Sequence, residues 1–167
     1  MVANALLGMY VKCGAIDKAQ KVFDELPIRD IISWNSLIGG YAQHGHDEEA
    51  FTSFKEMQKR GLSSDEVTYA CTLRGCGSMR ALYKGQDLHA QILKEHVIEK
   101  YILVAYALVD MYAKCGVLEK AQEVFDKLRV RNIVVWTALI SGYAEHGCGK
   151  EALRCFDICS SRALLWT

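Results

Sequence analysis

The sequence predicts an all-α fold, a superhelical solenoid of about five αα-hairpins, and three observations predict it. The first is internal repetition. The run from Asn4, NALLGMYVKCGAIDKAQKVFDELP, returns from Tyr106 as YALVDMYAKCGVLEKAQEVFDKLR, a shift of 102 residues without a gap. From Asn4 to Glu56, 27 of 53 positions are identical to their partners, more than chance supplies, so the chain holds two copies of one long unit. The second is helical periodicity: Trp34, Leu37, Ile38, Tyr41 and Ala42 fall at i, i+3, i+4, i+7 and i+8. The third is punctuation. Tyr10, Tyr41 and Tyr112 each precede a short polar run, a glycine and a second apolar stretch. No strand-like alternation competes.

The long unit divides further. With Ile31 as a start, units run over 31–65, 66–101 and 102–132, of 35, 36 and 31 residues. An opening unit, 1–30, lacks its first residue, and a last one covers 133–167. Each reads as two helices. In 31–65 the first helix breaks at Gly45, and Ala50, Phe54 and Met57 line the second. Glu48 and Glu49 stand near that helix's N-terminus and Lys59 and Arg60 near its end, as the helix dipole favours, and Gly61 stops it. One hairpin cannot bury its own apolar stripe, so neighbours must stack.

Composition narrows the function. Lys plus Arg equals Asp plus Glu, 20 each, whereas a protein that works mainly by coating phosphates is normally basic. Any affinity for nucleic acid must rest on local charge and on contacts to bases. Seven cysteines, an odd number without Cys-x-x-Cys, do not form a secreted disulfide framework and suit a reducing compartment. No stretch approaches the roughly 20 apolar residues of a membrane span. The opening Met-Val-Ala-Asn-Ala-Leu-Leu has no basic leader, so the expectation is that targeting residues have been removed or that the chain is a fragment.

Two families of hairpins place Trp or Tyr, Leu, Tyr, Ala and Phe near these offsets. The tetratricopeptide pattern keeps a uniform period of about 34 and wants Gly after the first Leu, where Ile38 and Ile140 stand here. The chain instead resembles the pentatricopeptide repeat (PPR) family. The motifs are ISWNSLIGGYAQHGHDEEA (31–50), VDMYAKCGVLEKAQEVFDKL (109–128), GQDLHAQIL (85–93) and RDIISWN (29–35). The alternating lengths are similar to those of the plant PLS subclass. On that resemblance 1–30 is S-type, 31–65 P-type, 66–101 L-type, 102–132 S-type and 133–167 P-type. The resemblance fades after Phe156, where DICSSRALLWT makes the C-terminus atypical.

The resemblance implies single-stranded RNA as partner, about one base per repeat, read by two or three side chains. It assigns base-edge reading to the fifth residue of each unit, assistance to the last, and wedging between bases to the second. The fifth residues are Asn4, Asn35, Ala70, Tyr106 and Thr137; the last are Asp30, Asp65, Tyr101, Asn132 and Thr167. The wedge positions hold Met1, Ile32, Val67, Leu103 and Val134. In the family Asn with Asp reads uridine, and Thr at the fifth place resembles a purine reader. Ala70 with Tyr101 and Tyr106 with Asn132 depart from the coding pairs. The expected register along the chain, 5′ to 3′, is U-U-N-N-purine. Lys12 and Lys114 occupy the place that approaches phosphate.

Structural roles compete with these at the same residues. Asp30, Asp65 and Asn132 stand where helix caps belong. The wedge residues could be first-turn packing, and the lysines could be merely solvated. Cys13 and Cys115 read as small fillers at a tight turn, Trp34 and Trp136 as packing anchors, and His89 as structural. His44 and His46 flank a turn glycine, and no metal is expected there or elsewhere. No nucleophile, acid–base pair or cofactor motif converges, and the Cys-x-x-Cys of a zinc deaminase is absent, so the chain is expected to be non-enzymatic. The leading expectation is sequence-selective RNA binding to a mitochondrial or chloroplast transcript. It would serve C-to-U RNA editing or other RNA modification and processing by a separate enzyme. The alternative is a protein–protein interaction scaffold of tetratricopeptide type, with a peptide in the groove.

Overall fold

The computed structural model describes residues 2–95, 98 and 100–163. Among them are ten α-helices and no strand. They are α1 (Val2–Lys12), α2 (Ile16–Asp24), α3 (Ile31–Gln43), α4 (Asp47–Lys59), α5 (Glu66–Ser78), α6 (Leu82–Lys94), α7 (Ile102–Lys114), α8 (Leu118–Lys127), α9 (Ile133–Glu145) and α10 (Gly149–Ala163). The fold is thus the expected all-α helical repeat. Met1 and Thr167, which the resemblance placed at a wedge and a reading position, lie outside the described residues. The chain forms two compact units, 1–79 and 80–167.

In the first unit α1 packs on α2 and α3 on α4, and the first helices also pack in a row, α1 on α3 and α3 on α5. The stripe read from the sequence is the buried one: Trp34, Leu37, Ile38 and Tyr41 on α3, and Ala50, Phe54 and Met57 on α4. Phe54 tilts against Tyr69 of α5, ring centroids 5.9 Å apart. Trp34 stands edge-on to Phe23 at 4.6 Å, burying an indole at the junction of two hairpins. The indole is a packing anchor, only 3% exposed. Gly40 is required where α1 crosses α3, because a Cβ there would lie 2.7 Å from Val11 Cγ2.

Arg29 closes the end of α2. Its Nε and Nη2 donate to the carbonyls of Phe23 (3.2 Å) and Asp24 (2.9 Å), and its guanidinium stacks 5.2 Å from the Phe23 ring. These are the orphan carbonyls of a helix C-terminus, satisfied by a cation that also suits the dipole. The second unit repeats the device: Arg131 donates to Phe125 O (3.2 Å) and Asp126 O (2.7 Å), and Phe125 meets Trp136 edge-on at 4.5 Å.

Tyrosines tie successive hairpins together. Tyr41 Oη donates to Gln20 Oε1, whose Nε2 donates to Asp24 Oδ1 at 2.7 Å. In the second unit Tyr143 Oη donates to Gln122 Oε1 (2.9 Å), and Gln122 Nε2 to Asp126 Oδ1 (2.9 Å). Tyr112 makes the same kind of tie to a different partner, His89 Nδ1 at 2.8 Å. Burial first, then the charges of Lys120 and Lys127, depress the His89 pKa to about 4, with Glu123 opposing. Burial pushes the Tyr112 hydroxyl up to about 12. His89 is therefore a neutral, structural ring.

The turn after each first helix is left-handed. Gly116 has φ +77°, and Val117 N donates back to Tyr112 O at 3.0 Å, the wrap that ends a helix on glycine. In the 66–101 segment Arg80 stands at that place with φ +51°, the one non-glycine with positive φ among the described residues.

Candidate nucleic-acid interface

Three of the proposed reading residues are helix caps. Asp30 accepts from Ser33 N (2.8 Å) at the start of α3, Asp65 from Thr68 N (2.9 Å) at the start of α5, and Asn132 from Val135 N (3.1 Å) at the start of α9. A cap uses one oxygen, so the rest of each side chain remains available. In the first unit that remainder turns toward the amide one hairpin earlier. Asn35 Nδ2 donates to Asp65 Oδ2 at 2.8 Å. Asn4 Nδ2 lies 3.4 Å from both Asp30 oxygens.

The Asn35–Asp65 pair carries a third member that the sequence reading did not single out. Thr68 Oγ1 lies 2.6 Å from Asn35 Oδ1 and 2.8 Å from Asp65 Oδ1, and it accepts from Asp65 N at 3.2 Å. A hydroxyl has one proton to give, so the two carbonyl-type oxygens compete for it, with Asn35 Oδ1 the nearer. The Asp-x-x-Thr spacing of a capping box was the available signal for the local bonds. Nothing in the sequence tied Thr68 to a residue 33 positions earlier.

Both carboxylates are held ionised. At Asp30 the Ser33 amide pulls the pKa below the usual carboxylate value, with burial opposing and the Ser33 hydroxyl and Asn4 amide assisting. At Asp65 burial pushes upward, but the Thr68 amide and hydroxyl and the Asn35 amide outweigh it. Each is an acceptor only, and each therefore dictates which end of its asparagine faces it.

The second-position residues are exposed rather than packed: Ile32 is 60% exposed, and Val67, Leu103 and Val134 are also open. Ile32 sits one turn before Asn35 and Val134 one turn before Thr137, so an apolar residue and a polar one share each helix face. Thr137 is exposed, and its Oγ1 donates to Ile133 O at 2.8 Å, leaving lone pairs outward. Tyr106 is half-buried and makes no hydrogen bond to Asn132, and Ala70 is buried. Lys12 is exposed, with no ion pair among the described residues. Lys114 is held by Asp110, Nζ to Oδ2 at 2.8 Å, so a phosphate there would compete with a carboxylate. His44 Nε2 meets Val11 O at 2.8 Å, closing the end of α1. Among the described residues no cluster of His, Cys, Asp and Glu could hold a metal ion, and no helix is long and apolar enough to cross a membrane.

Fold and site together define a class: an αα-hairpin repeat protein whose junctions present paired polar side chains beside exposed apolar ones. The family model described as PPR repeat family matches residues 29–78, and that for the PPR repeat matches 2–31, 106–133 and 134–161. The chain belongs to the pentatricopeptide repeat family. A putative pentatricopeptide repeat-containing protein of Arabidopsis thaliana is 42% identical over 156 residues, 93% of this chain and 31% of that protein. The Arabidopsis pentatricopeptide repeat-containing protein DOT4, named chloroplastic, is 43% identical over 148 residues, 87% of this chain and 17% of that one. Another Arabidopsis relative, named mitochondrial, is 39% identical over 157 residues, 94% of this chain and 25% of that one. The chain thus spans a third or less of the length of these relatives. Among solved structures, PPR10 in complex with an 18-nt psaJ RNA element superimposes with a TM-score of 0.80 at 20% identity, covering 98% of this chain and 25% of that one.

Proposed function

We propose that this chain is an RNA-recognition segment that binds single-stranded RNA in the register U-U-N-N-purine, one base per hairpin. The supporting observation is the Asn35–Asp65 pair. An ionised carboxylate 2.8 Å from Nδ2 leaves the amide one N–H and its carbonyl edge for a base, beside the exposed apolar Ile32 and Val67. Asn4 with Asp30 reads the preceding base more loosely. Thr137 reads at the fifth hairpin, while the 66–101 and 102–132 units, with Ala70 and Tyr106 in the reading place, bind without strong selection. Ile32, Val67, Leu103 and Val134 slot between bases, and Lys12 and Lys114 meet phosphate. The units alternate in length as in the PLS subclass. The role is to select an organellar transcript for C-to-U editing or other processing by a separate enzyme. Relatives named chloroplastic and mitochondrial support the organellar part.

The test is a titration with single strands carrying U-U or C-C opposite the first two hairpins. The chain is expected to prefer U-U, and Asn35→Ala, folded by circular dichroism, to lose that preference. Equal binding of both strands by the unaltered chain would refute the register. Binding of neither, with tight capture of an extended peptide, would replace RNA recognition by the scaffold reading.

A further inference from the structure

We infer that Thr68 is a positioning residue for base selection in the second hairpin: its hydroxyl holds the Asn35 amide in one orientation, so that the amide serves uracil and opposes cytosine. The inference rests on the RNA reading proposed above and adds a residue to it. Asn35 has two hydrogen-bonding ends and both are engaged on the protein side, Nδ2 by Asp65 Oδ2 at 2.8 Å and Oδ1 by the Thr68 hydroxyl at 2.6 Å. Turning the amide over would bring Oδ1 against an ionised carboxylate oxygen, two acceptors face to face, and would take from the Thr68 proton its nearer acceptor, leaving it only Asp65 Oδ1 at 2.8 Å. What is left for a ligand is one N–H and one lone pair in a fixed order.

That order matters because uracil and cytosine differ by inversion of a donor–acceptor pair. Uracil offers the O4 acceptor beside the N3–H donor, and cytosine the N4 donor beside the N3 acceptor. An amide free to make a half-turn satisfies either base. A locked one matches a single base and leaves an unpaired polar atom against the other, which is the arrangement that discriminates strongly.

The chain contains its own control. In the first hairpin Ser33 takes the place of Thr68, but its hydroxyl donates to the backbone carbonyl of Asp30 at 2.7 Å. The Asn4 carbonyl accordingly has no protein partner among the described residues, and its Nδ2 stands off at 3.4 Å from both carboxylate oxygens. Same residue pair, no third member, and the amide is loosely held. The second hairpin therefore discriminates uracil from cytosine more sharply than the first.

Thr68→Val keeps the shape of this fully buried side chain and removes the hydroxyl; Thr68→Ser restores it. Strands differing only by U or C opposite the second hairpin are titrated against the unaltered chain and both variants, with the Asn35 side-chain amide followed by 15N NMR without RNA. Thr68→Val is expected to lower the U-over-C ratio about fivefold, the worth of one neutral hydrogen bond, with Thr68→Ser near the unaltered ratio. The two Asn35 amide protons are expected to draw together in the valine variant alone. An unchanged ratio in a folded Thr68→Val protein overturns the inference and reduces Thr68 to a helix cap. Absence of any base preference in the unaltered chain overturns the RNA reading, and Thr68's part in selection with it. The NMR arm, which needs no RNA, then reports separately whether the hydroxyl holds the amide.

Discussion

Single residues here put different atoms of one side chain to different uses. Asp65 caps α5 with Oδ1 and orients Asn35 with Oδ2. Asp65→Ala is expected to cost about 1 kcal/mol in chemical denaturation, the usual worth of a cap, and to free the Asn35 amide as well. Both capping carboxylates have pKa values lowered in the native state. Their contribution is complete above the unfolded value, near 3.9, and is lost as pH falls through the lower native one. His89 acts in a separate window. Its native pKa of about 4 lies below the ordinary imidazole value, so between roughly pH 6.5 and 4 the unfolded chain takes up a proton that the native chain refuses. Stability is therefore complete above about pH 6.5 and declines by on the order of 3 kcal/mol as pH falls toward 4. His89→Gln, the residue type that Gln20 and Gln122 use toward their tyrosines, is expected to abolish that slope while leaving the carboxylate loss below it. Denaturation curves across pH 3–8 check both; a slope that persists in the glutamine variant would falsify the assignment to His89.

At the scale of helices and turns, the repeat predicts its own exceptions. Gly14, Gly45, Gly116 and Gly147 close the first helix with positive φ, and Arg80 occupies the equivalent place at φ +51°. An L side chain in that conformation costs roughly 1 kcal/mol, so Arg80→Gly is expected to raise the midpoint of thermal unfolding by several degrees. A fall would mean that the Arg80 side chain makes a contact worth more than the strain. Helix faces and stops were legible because period and punctuation are local: Trp34, Leu37, Ile38 and Tyr41 are buried as their spacing requires, and Gly45 ends the turn that follows. The ties between hairpins were not legible. Arg29 reaching back to Phe23 O, and His44 reaching Val11 O, depend on where a neighbouring helix end lies, which no spacing rule encodes.

For the chain as a whole, balanced charge sets the terms of the RNA binding proposed above. If Lys12, which has no ion pair among the described residues, and Lys114, shared with Asp110, are the two phosphate contacts as proposed, the plot of log K against log salt is expected to have a slope of only about −0.7 to −1.4. Lys12→Ala should flatten it by about 0.7. A slope steeper than about −4 would show that phosphate coating, rather than base contact, carries affinity. Of the candidate interface, the amide–carboxylate pairs and the exposed second-position residues lay at residues singled out from the sequence. Whether a second-position residue packs or stands open was undecided until burial was known, because an isoleucine in a first turn fits either.

The 102-residue repeat, the helical period and the turn glycines were enough to determine an all-α stack of hairpins, because each is a property of neighbouring residues that backbone geometry converts directly into helix and turn. Tertiary structure alone decided that Thr68 completes the Asn35–Asp65 pair while Ser33 leaves Asn4 and Asp30 without a third member. Both hydroxyl residues follow an aspartate by the same three positions, and the difference lies in which oxygen of the neighbouring hairpin comes within hydrogen-bond reach.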